Sequence, residues 1–214
     1  MAAGDRTDSI VSQAQYHLAS VEQGKLSGLL KNLPPTFFYD KLQQAQTRVA
    51  AEFLCIEKKS TTITMTSGVV TEPTGFFRMK QFVLSSTDYC QPVEISVQDY
   101  DSLTRAYFTA GQAPQFFFRW AGSMTFYPVP TDATYTMYYY GIPTTTVSTI
   151  IDPETPAYFD ECLLWYVLKE AADVIGRADL ASQYHGKYER SREDIMGMWR
   201  RTKTESTAIM FRDI

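Results

Sequence analysis

Three cysteines and two histidines are all that the 214-residue chain offers a soft metal or a disulfide. Cys55, Cys90 and Cys162 are odd in number, far apart and never in a CxxC pair, so neither a disulfide framework nor a zinc site is expected. They read as free buried thiols in a reducing cytoplasm. His17 and His185 stand alone on helical patterns, outside any HExxH, and read as packing or surface residues. Charge of one sign is also lacking. With 20 Lys and Arg against 24 Asp and Glu the net charge is −4, without the basic stripe that phosphate neutralisation demands of a dedicated nucleic-acid binder. No run approaches the ~18 apolar residues of a membrane span, and MAAGDRTDS carries no apolar signal region, so no membrane anchor is expected and synthesis and folding in the cytoplasm are. GxGxxG, GxxxxGK and GxSxG are absent, and with them the usual phosphate cradles and the nucleophile elbow. No catalytic residue, cofactor or metal ligand is assigned.

Aromatic residues, by contrast, reach 14%, with 14 Tyr and 13 Phe. Tyrosine has a large apolar body and a polar tip, which suits a surface that is wet before assembly and covered after it. Half-exposed strands account for many of these residues equally well. The order of elements is clearer. Ile10, Ala14, Leu18 and Val21 recur at helical spacing, Gly24 and Gly28 then interrupt the pattern before Leu29 and Leu33, and Pro34-Pro35 stops the chain. Thr36 is placed to cap the next helix, Phe37 to Ile56, whose apolar face is Phe38, Leu42, Ala45, Val49, Phe53 and Ile56.

The period then drops to two. Strands are expected at Thr61–Thr66, Phe76–Leu84 and Val93–Val97, followed by a short helix from Asp99 to Tyr107. A hairpin turning at Ala121-Gly122 follows, with Phe116, Phe118 and Trp120 on one face and Met124, Phe126 and Pro128 beyond the turn. Pro130-Thr131-Asp132 then leads to a strand with Tyr135, Met137 and Tyr139 on one side. Such short runs read as an antiparallel meander without helical crossovers. After a Thr-rich loop, Cys162–Leu168 is apolar on every side of a helix and must be covered on every side, by this chain or by a neighbour. Gly176 ends that helix, and Ala178–Thr202 forms the last, with Leu180, Tyr184, Tyr188, Ile195 and Trp199 in a narrow stripe. The fold class is therefore α+β: a helical bundle (N-terminal helix plus C-terminal helix pair, residues 1–56 and 156–202) holding an inserted antiparallel β-meander (57–155), with an extended C-terminal arm (203–214).

In that arm, Ile209, Met210 and Phe211 have no internal partner in the pattern; it reads either as a fraying end or as a segment that orders on a partner. Arg200, Arg201 and Lys203 suit a helix C-terminus electrostatically. Tyr138, Tyr139 and Tyr140 alternate across a strand and cannot form one base-stacking platform. Asp99 with Asp101, and Asp152 with Glu154, are close acid pairs of the kind glycoside hydrolysis needs; Asp99 reads rather as a helix cap and Asp152 as a turn residue.

Four stretches, in order, resemble the head–tail adaptor (connector) proteins of tailed bacteriophages: QTRVAAEFLCIEKKSTTITMTSG, FFRMKQFVL, SMTFYPVPTDATYTMYYYGIPTTTVS and TPAYFDECLLWYVLKEAADVIGRADLASQYHGKYERSREDI. The resemblance spans residues 37–202. It implies a structural virion protein of the neck and not an enzyme: a homo-oligomeric ring, usually of twelve copies, docked on the portal protein, with tail or nozzle proteins below and DNA passing through without specific recognition. Within that frame Trp199, Arg200, Arg201, Ile209, Met210 and Phe211 are the candidate portal contacts. Tyr127, Tyr138 and Tyr140 are the candidate tail-side or inter-subunit surface. Another neck, tail or capsid accessory protein, and a cell-wall hydrolase using Asp99 and Asp101, are the rival readings.

Overall fold

The structure, a computed structural model, describes residues 4–20, 33–83, 89–103, 112–131 and 133–210, with side chains described up to Trp199 except at Thr62. The expectations at Val21, Gly24, Gly28, Leu29, Leu84, Tyr107, Asp132 and Phe211 lie outside the described residues. The chain divides into two compact units, Met1–Cys55 with Thr145–Ile214, and Ile56–Thr144. The class is α+β, with helices in the first unit and two sheets and a short helix in the second.

The helical unit contains α1 (Asp5–Ser20), α2 (Pro35–Phe53), a single turn of 3₁₀-helix at Ala157–Phe159, α4 (Asp160–Val174) and α5 (Ala178–Met210); the short helix α3 (Val97–Leu103) belongs to the other unit. Helix α2 starts with Pro35 in its first turn, where a missing N–H costs nothing, and Pro34 stands at the cap without any side-chain cap. Thr36 therefore lies inside the helix. The helix ends early, at Leu54 in the left-handed region, so Ile56 falls beyond it and its carbonyl accepts the Gly141 N–H in the β unit.

Helix α4 takes the central place its composition demands. Cys162, Leu163, Leu164, Val167, Leu168, Ala171 and Ala172 are all buried, against a cluster that includes Ile10, Ala14 and Leu18 of α1, Leu42 and Val49 of α2 and Leu180, Tyr184 and Tyr188 of α5. Covering is done within the chain, at about 1.5–3 kcal/mol for each large side chain. Gly176, at φ +77°, closes the helix: the Arg177 N–H reaches Ala172 O and the Gly176 N–H reaches Asp173 O, the paired bonds of a Schellman end. Helix α5 then runs 33 residues to Met210, so residues 203–210 are helical where an extended arm was expected. TKTESTAIM contains no Gly or Pro, and adding a residue to an existing helix avoids the cost of nucleation.

Residues 145–155 belong to the helical unit and not, as expected, to the insert. Gln43 and the fully buried Gln46 of α2 accept the N–H groups of Val147 (2.9 Å) and Glu154 (3.0 Å), and Val147 joins the helical core. A loop with its backbone groups satisfied in this way can be buried without penalty.

In the β unit, β1 (Glu57–Thr64), β8 (Thr134–Gly141), β3 (Phe76–Val83) and β4 (Tyr89–Cys90) form one sheet in that order. β2 (Val69–Thr71), β7 (Ser123–Tyr127), β6 (Phe116–Trp120) and β5 (Val93–Glu94) form the second. Both contribute to one core, in which Phe82 stacks on Phe126 at 5.0 Å and Phe76 meets Phe117 edge-on at 6.4 Å. The β6–β7 hairpin turns at Ala121-Gly122 as expected, both residues at positive φ. The remainder is not a sequential meander: β8 inserts between β1 and β3, and β5 pairs with β6 in parallel. Phe117, not Phe116, Phe118 and Trp120, points into the core. The expected strand Val93–Val97 is cut to two residues, because Ser96 caps α3. Its Oγ accepts the Asp99 N–H at 3.1 Å and its hydroxyl donates to the Asp99 carboxylate at 2.6 Å.

Candidate interaction surfaces

The outward face of the first sheet follows from pairing. Residues directly opposite in a ladder share a face, so Glu57, Tyr140 and Arg78 form one row and Lys59, Tyr138 and Gln81 the next. Tyr135, Met137 and Tyr139 fill the alternate positions of β8 and are buried. Lys59 Nζ lies 5.4 Å from the Tyr138 ring centre and Lys80 Nζ 5.7 Å from that of Tyr140, while Lys80 also bonds Glu57 at 2.6 Å. Among the described residues, Tyr138 and Tyr140, both half-buried, thus lie in a surface with three cations, Lys59, Arg78 and Lys80, and one carboxylate, Glu57. Tyr127 is not with them. It sits on β7 of the second sheet, and its ring meets Tyr100 of α3 edge-on at 5.8 Å, where Tyr100 also packs on Phe118 at 4.4 Å.

The second sheet presents Val69, Thr71, Ser123, Thr125, Tyr127, Phe116, Phe118, Trp120 and Val93 on its outward side, from the same pairing logic. None is charged. Trp120, beside the hairpin turn, is 71% exposed, Val93 58% and Val69 40%, with Val97 of α3 at 38%. Sequence reasoning noticed Trp120 only as a strand residue and did not single out Lys59, Arg78 or Lys80. The signal was available, since Glu57/Lys59 and Arg78/Lys80 lie two apart on strands that flank an aromatic one.

On the helical unit, Trp199 is half-buried against the core beside Ile195 and Met196. The backbone at Arg200, Arg201, Ile209 and Met210 is one continuous helix with it, but their side chains lie outside the described residues. Antiparallel α4 has 15 residues and α5 has 33, about 22 and 50 Å, so α5 passes its partner well before it ends. Arg192 ties the helix to Glu52 of α2 and to Glu189. At the start of α4, Arg6 of α1 forms an ion pair with Asp160 and donates to Pro153 O (3.2 Å) and Thr155 O (3.0 Å). In return the Asp152 carboxylate accepts the N–H groups of Arg6 (2.9 Å) and Thr7 (3.1 Å). Asp152, read from sequence as a turn residue, is thereby also the cap of α1.

Burial pushes the Cys55 and Cys162 thiols up to about 12 and the Cys90 thiol up to about 11, and all three cysteines are free. His17 lies against Trp165 at 5.6 Å and His185 against Tyr188 at 6.4 Å. Asp99 is engaged in the α3 cap. Glu154 accepts the N–H and hydroxyl of Thr145, both at 2.8 Å. Among the described residues no helix is long and apolar enough to cross a membrane.

No curated protein matches the chain. The family model described as SU10 adaptor protein matches residues 10–210, nearly the whole chain and both units. The helical unit, the β unit between its halves and the long closing helix are thus matched together, and the chain belongs to the SU10 adaptor protein family, a family of phage head–tail adaptors.

Proposed function

We propose that the protein is a ring subunit of the phage neck, joining the portal vertex to the tail and leaving a central passage for DNA. The family match over residues 10–210 carries this reading. Two physical features support it. Closed rings arise from heterologous contacts, which need two different surfaces on each copy, and the β unit has outward faces of different chemistry. Helix α5, outrunning α4, offers a long rod for a larger neighbour. Arg200, Arg201, Ile209, Met210 and Phe211, with Trp199 at their base, are the proposed portal contact. The Tyr138/Tyr140 face meets a sister subunit or the tail side. Twelve copies, each contact burying roughly 800 Å² per partner, would complete the ring.

The test is co-assembly with purified portal protein, followed by electron microscopy. Met210→Ser with Phe211→Ser should abolish docking while circular dichroism and melting stay at the wild-type values. Normal docking by that variant rejects the portal role of the C-terminal helix. A wild-type chain that forms no ring with or without portal rejects the neck-ring reading itself.

A further inference from the structure

The two outward faces of the β unit differ in chemistry. One sheet shows Tyr138 and Tyr140 among Lys59, Arg78 and Lys80, with Glu57 in the same row as Tyr140 and Arg78. The other shows Val69, Trp120 and Val93 exposed, with no charged residue at the outward strand positions, and α3 beside them carries Asp99 and Asp101, both exposed, and Val97. The two sheets share one core, so these outward faces lie on opposite sides of the unit.

We infer that the Tyr138/Tyr140 face of one copy docks on the Trp120/Val93 face of the next, a head-to-tail contact between copies of this chain. The inference rests on the ring reading and deepens it by naming the pair of surfaces. Three arguments support the choice of a second copy as occupant. Charge is complementary: among the described residues cations exceed carboxylates on the first face, and α3 supplies only carboxylates to the second. The cations stand on the first face and the exposed indole on the second. An exposed indole is the preferred partner of a Lys or Arg cation, and the first face presents those cations already held beside aromatic rings. Exposed Val69, Val93 and Trp120 gain by desolvation against tyrosine bodies, whose hydroxyls remain able to bond at a rim. Finally, the faces are non-equivalent and opposed. Their contact cannot close as a two-fold dimer and must propagate, into a ring where each step turns and into a filament where it does not.

The experiment is a charge-reversal exchange read by native mass spectrometry and mass photometry. One variant carries Lys59→Glu and Arg78→Glu; the other carries Val93→Lys and Asp101→Lys, which leaves the Asp99 cap of α3 intact. Each alone should need at least about tenfold higher concentration than wild type to oligomerise, since like charges then face each other. Mixed one to one, the two variants should assemble again, because each reversed face meets an opposite one. Wild-type assembly should also weaken with added salt. Circular dichroism and melting of each variant verify folding, and Trp120→Ser, at an exposed hairpin tip, gives an independent uncharged probe that should also weaken assembly. If all three variants assemble as wild type does, or if the mixture gives no recovery, this pairing of faces is wrong and the ring reading survives. If wild type itself stays monomeric at every concentration and on portal-bearing heads, both fall.

Discussion

Replacing Arg6 with Ala should loosen the first helix without unfolding the rest. The guanidinium pairs with Asp160 and donates to two loop carbonyls, Pro153 O and Thr155 O. Hydrogen bonds to charged groups contribute roughly 1.5–3 kcal/mol each to stability, and the partners left behind would be partly desolvated. Water offsets some of this, because the Arg6 and Asp160 side chains keep 17% and 30% of their exposure. A net loss of about 2–3 kcal/mol is therefore expected. Helix α1 still has Ile10, Val11, Ala14 and Leu18 buried against the helical core, so it should open more often and not detach permanently. Amide hydrogen exchange reads this directly. Protection across Ile10–Leu18 should fall about 30- to 150-fold, 1.4 kcal/mol being a factor of ten, while α4 and the β unit change little. Gln13→Ala, on the exposed side of α1, serves as the control. Unchanged protection of α1 in Arg6→Ala would show that apolar packing alone holds the helix and that the Arg6 network adds nothing.

Two further outcomes concern the helical unit and the thiols. Glu170 is partly buried, which raises its carboxyl pKa, but hydrogen bonds from Lys169 and Lys41 outweigh that and hold it below the ordinary carboxylate range. A folded-state value below the unfolded one contributes stability that is complete at neutral pH and lost as pH falls through the folded value. Glu170→Gln should therefore melt lower than wild type at pH 7, and the gap should narrow as pH falls below the ordinary carboxylate range; a gap independent of pH refutes the assignment. Burial, which pushes the Cys55, Cys90 and Cys162 thiols up, leaves little thiolate at pH 8. Iodoacetamide should label the native chain on the order of a hundredfold more slowly than the unfolded chain, and equal rates would show the thiols to be accessible.

Periodicity made the helical unit legible. The stripes through Phe38–Phe53 and Leu180–Ile195 are buried as spaced, and the all-apolar Cys162–Leu168 segment lies at the centre of its bundle. The hairpin at Ala121-Gly122 was equally plain, because its turn chemistry is local. Helix ends were less so, since Leu54 stops α2 by backbone conformation and α5 continues past Thr202 with no breaker in its way.

By itself the amino-acid order determined the α+β class, the faces of the main helices and the alternation that divides buried Tyr139 from outward Tyr138 and Tyr140. Those properties depend on neighbours within a turn of helix or a step of strand. Only the tertiary structure decided that β8 lies between β1 and β3, that β5 runs parallel to β6, that residues 145–155 join the helices through Gln43 and Gln46, and that Lys59, Arg78 and Lys80 gather around two tyrosines. Each of these brings together groups separated by tens of residues. Strand pairing and hydrogen bonding over such distances are set by which surfaces fit once the chain has closed on itself, and no local spacing encodes that.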